Sequence, residues 1–399
     1  MGNLADEREQ CRPAVLAGRI DQLSGSTAGC PTLTMHAGWL AQGNFRGHSC
    51  SSSVDAPSPQ DPTPQDLGEI FKLIGGYRIS QAIYVVAETG IPDLLATGPK
   101  SCDELATETN THAPTLYRIL RFLAGAGLFN EVAPQKFELT RLGSALRTDV
   151  PGSGSMAARL WLSESHWNPW SRLIHSVRTG ETAFDHLHGM GVFQYLEKNA
   201  EASAVFNAAM TASSARSGTG VVERYDFSSL HRVVDVGGGH GFLLAMILKS
   251  NPALRGVLFD LPDVVAGAGQ ILKDSGVGDR CEVVGGSFFD ALPTGGDLYV
   301  LRQIIHDWDD DRALAILRNC RAAMMETAKV LLIERAIAPH HREAMRVLHL
   351  DLEMLVNVGG MERTDAEYRS LLEKAGFRLA NIVPLMDAAG FSAFEAVCA

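Results

Sequence analysis

Several marks of particular protein classes are missing from this 399-residue chain. Its seven cysteines stand at 11, 30, 50, 102, 281, 320 and 398 without a C-x-x-C pair. An odd, unpatterned set excludes a disulfide framework and a cysteine zinc site, and it points to reduced thiols in a cytoplasmic enzyme. No run of 18 or more apolar residues occurs, so no transmembrane helix is expected. Positive charge is scarce: 35 Lys and Arg against 46 Asp and Glu leave a net charge of -11. That balance argues against nucleic acid or an anionic membrane as the main partner. His340-His341 with His349 lack ligand spacing, and "APHHRE" reads as a solvated loop, so no metal is expected. The start of the chain lacks a basic region followed by an apolar one, so a signal peptide is not expected. Asp6 stands where a myristoylation signal wants Ser or Thr.

What is present fits an ordinary globular protein, 46% apolar and 20% charged, with length for two or three domains. Residues 1–62 are rich in Gly, Ser, Thr, Pro and Gln, end in "VDAPSPQDPTPQD", and read as a disordered extension and linker. Helical periodicity then takes over. "LGEIFKLIGGYRISQAIYVVAETGIPDLL" gives two apolar-striped helices, Ser101 with Glu104 caps a further one, and "TLYRILRFLAGAGLF" is amphipathic. "FNEVAPQKFELTRLG" follows as a hairpin, completing a winged-helix-like domain over 63–165. With few cations on its candidate recognition helix, it reads as a dimerisation domain rather than a DNA reader. Residues 166–224 form a helical linker whose aromatics suit the wall of a substrate pocket. From 225 to 399 strands and helices alternate, the pattern of a doubly wound α/β sheet with an antiparallel strand at its edge.

The first strand of that sheet runs into "VVDVGGGHG", and ligands of such sheets sit beyond the strands' carboxyl ends. A P-loop would need Lys and Ser/Thr after the glycines, and neither is there. A dinucleotide turn would need a small residue six positions from Gly237, where Phe242 stands instead. What remains is Gly237, Gly239 and Gly241 preceded by Asp235, with Asp260 ending the next strand 23 positions after Gly237. An acid beside the turn repels a phosphate but suits a cation, and an acid ending the second strand can accept ribose hydroxyls. Together they fit S-adenosyl-L-methionine.

Longer blocks carry a specific resemblance. "VVDVGGGHGFLLAMILKSNPALRGVLFDLPDVV", "LRQIIHDWDDDRALAILRNC", "KVLLIERAI" and "DLEMLVNVGGMERTDAEYRSLLEKAGF" resemble the S-adenosylmethionine-dependent O-methyltransferases. That family includes plant caffeate-type enzymes and bacterial polyketide and phenazine tailoring enzymes. The likeness covers roughly 66–399 and implies a Rossmann-like catalytic domain, a homodimer, and methylation of a phenolic hydroxyl on a small aromatic metabolite. It places the general base on His306, flanked by Glu334 and Glu362. Cofactor contacts fall on Gly237, Asp260, Phe288 and Arg302, with Leu261 beside them. Ser287 stands where many relatives have an Asp, and Arg302 where plant enzymes have Lys. Phe206, Met210, Asp351, Met354 and Asn357 fall on acceptor-facing positions, with Asp307 beside the histidine. Relatives that use the bound cofactor as an electrostatic prop for hydroxylation, decarboxylation or ring formation, and a winged-helix regulator, are the alternatives.

The chemistry explains the residue types. A phenol with pKa near 10 attacks poorly until its proton is removed. An imidazole that is neutral near pH 7 can take that proton, a contribution of about 10²- to 10⁴-fold. A carboxylate beside the ring can orient it and stabilise its cation.

Overall fold

Strand β4 (Arg232–Val236) is an interior strand of the sheet, buried from Val233 to Val236, and apolar there except for Asp235. Such a stretch suits a strand covered on both faces. A computed structural model describes residues 61–385 and 390–399, apart from the side chains of residues 216 and 217. The extension expected over 1–62 therefore lies, up to residue 60, outside the described residues. The rest, Pro62–Ala399, is one compact unit.

Seven strands lie in the order β6-β5-β4-β7-β8-β10-β9. β5 (Arg255–Asp260), β6 (Cys281–Gly285), β7 (Leu298–Arg302) and β8 (Lys329–Arg335) run parallel to β4, while β10 (Phe391–Cys398) is antiparallel to both β8 and β9 (Phe377–Pro384). The order reverses between β4 and β7, so the crevice for a ligand opens at their carboxyl ends. Alternate residues of each strand feed two cores. Val234, Leu301, Leu332 and Phe394 meet Ile316, Leu317, Tyr368 and Leu372 on one face; Val233, Val300 and Ile333 meet Leu243, Ile247 and Val221 on the other.

Before the sheet stand α1 (Pro64–Glu88), α2 (Ile91–Leu94), α3 (Cys102–Thr109) and α4 (Ala113–Gly125), with a small sheet of β1 (Lys100–Ser101), β3 (Lys136–Leu139) and β2 (Phe129–Ala133). Their core holds Val86, Ile91, Leu105, Leu120, Leu123, Phe129 and Phe137. Thr63 and Ser101 cap α1 and α3, each in a reciprocal pairing with the acid three residues on. Of α1 only Ala82, Val86 and Ala87 are buried.

A run of helices links the two regions: α5 (Gly154–Trp161), α6 (Glu164–Trp170), α7 (Leu173–Thr179), α8 (Ala183–His188), α9 (Val192–Lys198) and the long α10 (Ala200–Arg224). Within the sheet region come α11 (Phe242–Ser250), α12 (Pro262–Val265), α13 (Gly269–Asp274), α14 (Asp310–Ala323), α15 (His341–Glu353) and α16 (Asp365–Lys374). The single helix expected over "DVVAGAGQILKDS" is two, α12 and α13. The break falls at Gly267, which lies against His240 of the glycine turn: a Cβ there would sit 2.6 Å from the ring. No helix among the described residues is long and apolar enough to cross a membrane.

Candidate active site

The glycine turn follows from local geometry. Gly237, Gly239 and Gly241 all have positive φ (68°, 59° and 77°), which side chains on L residues resist. A Cβ on Gly237 would collide with Ile304, and one on Gly238 would lie 2.6 Å from Asp235 Oδ2. Gly239 has nothing within 4 Å on that side. The turn is thus packed from below and open above.

Two acids frame it. Asp260 accepts the backbone N–H groups of Gly239 (2.8 Å, Oδ2) and Leu261 (2.7 Å, Oδ1). A carboxylate has about four acceptor positions, so capacity remains for two hydroxyls. Asp235 is 2% exposed, and its Oδ2 has no partner. Burial, then the charge of Asp260, pushes its carboxyl up to about 7, against the pull of Arg302. A buried acid with one oxygen unpartnered under an open glycine turn fits a cationic nucleoside such as S-adenosylmethionine and opposes a phosphate. Phe288 is half-buried close to Gly237, and Ser287 turns its hydroxyl to the Phe289 N–H (3.2 Å). Arg302 donates to Ser213 and Ser214 of α10 at 3.1 and 3.2 Å.

From β7 the chain turns sharply. Gln303 has φ 53°, a strained value for a residue with a side chain, held by its N–H on the Ile333 carbonyl (3.1 Å) and by the Ser213 hydroxyl on its Oε1 (3.1 Å). The turn sets Ile304 against Gly237 and buries His306 in the 3₁₀ segment Ile305–Asp307. Glu334, wholly buried near the end of β8, accepts the N–H groups of Ile304 and Ile305 at 3.0 and 2.9 Å. His306 Nδ1 lies 2.9 Å from Glu362 Oε1, and its Nε2 is 3.4 Å from Asp307 Oδ1. Burial disfavours a charged ring, yet Glu362, Asp307 and Glu334 outweigh it and push His306 up to about 10. The neutral imidazole expected from its ordinary pKa is therefore not the resting form of this cluster below that value. Burial also raises Glu334 to about 7 and Asp307 to about 6, both against the pull of His306.

The other residues singled out in the sequence fall around this cluster. Asp351 accepts the Glu362 N–H at 3.0 Å, so its carboxylate serves the dyad directly. Met354 (7% exposed) and Asn357 (1%) lie in the π-helical turn Met354–Val358 that continues α15. Phe206 stands edge-on to Phe193, which stacks on Trp308 beside the His306 turn; Met210 is half-buried one turn further along α10.

Sequence reasoning passed over residues that hold the cluster in place. Arg363, 1% exposed, donates to the carbonyls of Ile305 (3.0 Å), Met361 (3.3 Å) and Trp308 (2.9 Å) and to Asp310. It ties the Glu362 segment to the backbone before and after His306. A Cβ on Gly360 would collide with the His306 carbonyl and the Asp307–Trp308 backbone. The signal lay in "GGMERT", where a bare glycine and an arginine flank a buried acid. Glu353 and Trp170, bonded at 3.2 Å, were also missed; only the four-residue spacing of Glu353 and Asn357 hinted at them. Among the described residues no group of three or more His, Cys, Asp or Glu is placed to hold a metal ion.

This arrangement, a cation-suited nucleoside hollow beside a carboxylate-flanked imidazole, is that of a group-transfer enzyme. Comparisons with known proteins agree. The O-methyltransferase domain profile matches residues 170–378, and the O-methyltransferase dimerisation domain profile matches 71–149. Phenazine O-methyltransferase PhzM of Lysobacter antibioticus is 43% identical, over 82% of this chain and 95% of its own. The crystal structure of LaPhzM superposes with a TM-score of 0.80 at 42% identity, over 84% of this chain and 100% of that one. The O-methyltransferase NcsB1, solved with S-adenosylmethionine and 2-hydroxy-5-methyl naphthoic acid, gives 0.70 at 33% identity, over 81% and 96%.

The chain belongs to the O-methyltransferase family. It is an S-adenosylmethionine-dependent enzyme of that family.

Proposed function

We propose that this enzyme methylates a phenolic hydroxyl of a small aromatic secondary metabolite, with His306 as general base. The observation that carries the reading is the His306–Glu362 pair at 2.9 Å on the turn whose Ile304 packs against Gly237. Asp235, Gly237, Gly239, Gly241, Asp260, Leu261, Ser287, Phe288 and Arg302 hold the cofactor, which supplies an electrophilic methyl group on a cationic sulfur. His306 takes the acceptor's proton while Glu362 orients the ring. Glu334 holds the turn through Ile304 and Ile305. A base raised to about 10 matches a phenol near 10, so proton transfer between them is close to even; a cation held nearby works against the carboxylates and eases the ring toward its neutral form. Phe206, Met210, Asp307, Asp351, Met354 and Asn357 border the acceptor. The named acceptors of the relatives, a phenazine and a hydroxynaphthoic acid, support an aromatic one here.

The partition into an N-terminal dimerisation domain (63–165), a linker (166–224) and a catalytic domain (225–399) belongs to the same reading. So does a homodimer through α1, whose Phe71 and Leu73 are 70% and 76% exposed and which overlaps the dimerisation profile. The test is incubation with methyl-labelled cofactor and a panel of phenols, catechols and hydroxyquinones, with products read by mass. One S-adenosylhomocysteine per labelled product is expected. Product without label, or without S-adenosylhomocysteine, would mean that the bound cofactor serves hydroxylation, decarboxylation or ring formation instead.

A further inference from the structure

Glu353 closes α15 with its two carboxylate oxygens turned to different donors. Oε2 accepts the Trp170 indole N–H of α6 at 3.2 Å, and Oε1 accepts the Asn357 amide N–H at 2.8 Å. Burial raises Glu353 to about 7; above that pH it is a carboxylate with no hydrogen to give, and it can face only the NH2 end of that amide. The Asn357 carbonyl is therefore turned the other way. Asn357 is 1% exposed, and its Oδ1 has no partner. A buried acceptor left without a donor is costly, and it is best explained by a donor arriving with a ligand. Asn357 shares its helix with Asp351, which holds the Glu362 N–H, and Glu362 holds His306. The Met354–Val358 turn itself packs against the Ile305–Asp307 turn, which brings the orphan oxygen's segment beside the proposed base.

Resting on the reading of that cleft as an aryl-hydroxyl site, we infer that Glu353 is a positioning residue that locks the Asn357 carbonyl toward the acceptor. The enzyme accordingly selects aromatic acceptors that carry a second hydrogen-bond donor, O–H or N–H, besides the hydroxyl that is methylated. Trp170 gives the lock its direction. Its indole only donates, so whatever stands at 353 must offer it an oxygen. A glutamine at 353 would turn its one oxygen to Trp170 and its NH2 to Asn357. Asn357 would have to answer with its carbonyl, leaving its NH2 toward the acceptor. The preference would then invert.

Two probes that differ in the second donor and the methyl group that caps it test this, with the variants separating the two effects: 2,3-dihydroxynaphthalene and 3-methoxy-2-naphthol, titrated calorimetrically at pH 8.5 into the full-length enzyme with S-adenosylhomocysteine present. Wild type is expected to bind the diol about tenfold more tightly than the ether. Glu353→Gln should erase or reverse that ratio. Trp170→Phe, which leaves the Glu353–Asn357 bond in place, should keep it. In the double variant the glutamine is free to turn either way, so its ratio should fall between. Equal binding of both probes by wild type overturns the inference without any variant. So does a Glu353→Gln enzyme that keeps the wild-type ratio, or a Trp170→Phe enzyme that loses it as fully, since either means that Glu353 only packs. Binding of neither probe by wild type would instead overturn the aryl-hydroxyl reading itself.

Discussion

Along α1, Leu67, Ile70, Phe71, Leu73, Ile74 and Tyr77 are each at least half exposed; at the carboxyl edge of the large sheet, Asp235, Glu334 and Glu362 are each at most 4% exposed and each keeps one oxygen unpartnered. One region leaves apolar surface in water, and the other takes charge out of it. Both run against the ordinary direction of burial, and each costs stability where it stands. The difference lies in what could offset the cost. Apolar surface on one amphipathic face is satisfied by a second such face, whereas buried acids near a base are satisfied by a cation and a proton. The first suits an assembly surface, as the proposed homodimer through α1 requires, and the second a chemical one.

The comparison can be broken from either end, and the site offers the largest effect. His306→Gln should cut turnover by at least about a hundredfold while calorimetry shows cofactor binding nearly intact. Unchanged turnover would leave the buried acids without a catalytic purpose. On the other side, Phe71→Glu with Leu73→Glu should weaken self-association by about a hundredfold in sedimentation equilibrium. A variant that stays dimeric would move the assembly surface off α1.

Finer changes sharpen the contrast. Glu362→Gln removes a charge that raises His306, so the acidic limb of the kcat/KM profile should move to lower pH, with turnover about tenfold lower. An unmoved limb would show that the dyad does not set it. Asp235 has a folded pKa of about 7, above its usual 3.8, so the folded state keeps its proton longer than the unfolded one. Stability should therefore fall as pH rises between those values. Asp235→Asn should melt a few degrees higher than wild type at pH 8 and about the same near pH 4, yet bind the cofactor less tightly. The smallest change is Tyr368→Phe. Its hydroxyl is buried without a partner, so removing it should raise the melting temperature by about 2 °C. A lower melting temperature would mean that the phenol is bonded after all.

The inner strands were legible because β7 and β8 are short, buried apolar runs, and the glycine turn because positive φ at 237, 239 and 241 demands that residue. The exposed face of α1 was not. Its apolar stripe reads like any core-facing helix, and only the packing shows that most of it meets no core. The pairing of His306 with Glu362, 56 residues apart, came from family resemblance, since no local period links them. Arg363, Gly360 and Gln303 went unread for a related reason: each acts by touching backbone remote in sequence.

Sequence alone determined the alternation of strands and helices, the open glycine turn and the acids beside it, because these depend on residues within one turn or one strand of each other. Only the tertiary structure decided which carboxylate oxygens are bonded, how far the imidazole's pKa rises and which end of the Asn357 amide is held. Those quantities depend on burial and on charges from β7, β8, α15 and the Glu362 loop arriving at one place, and chain order does not set the distances between them.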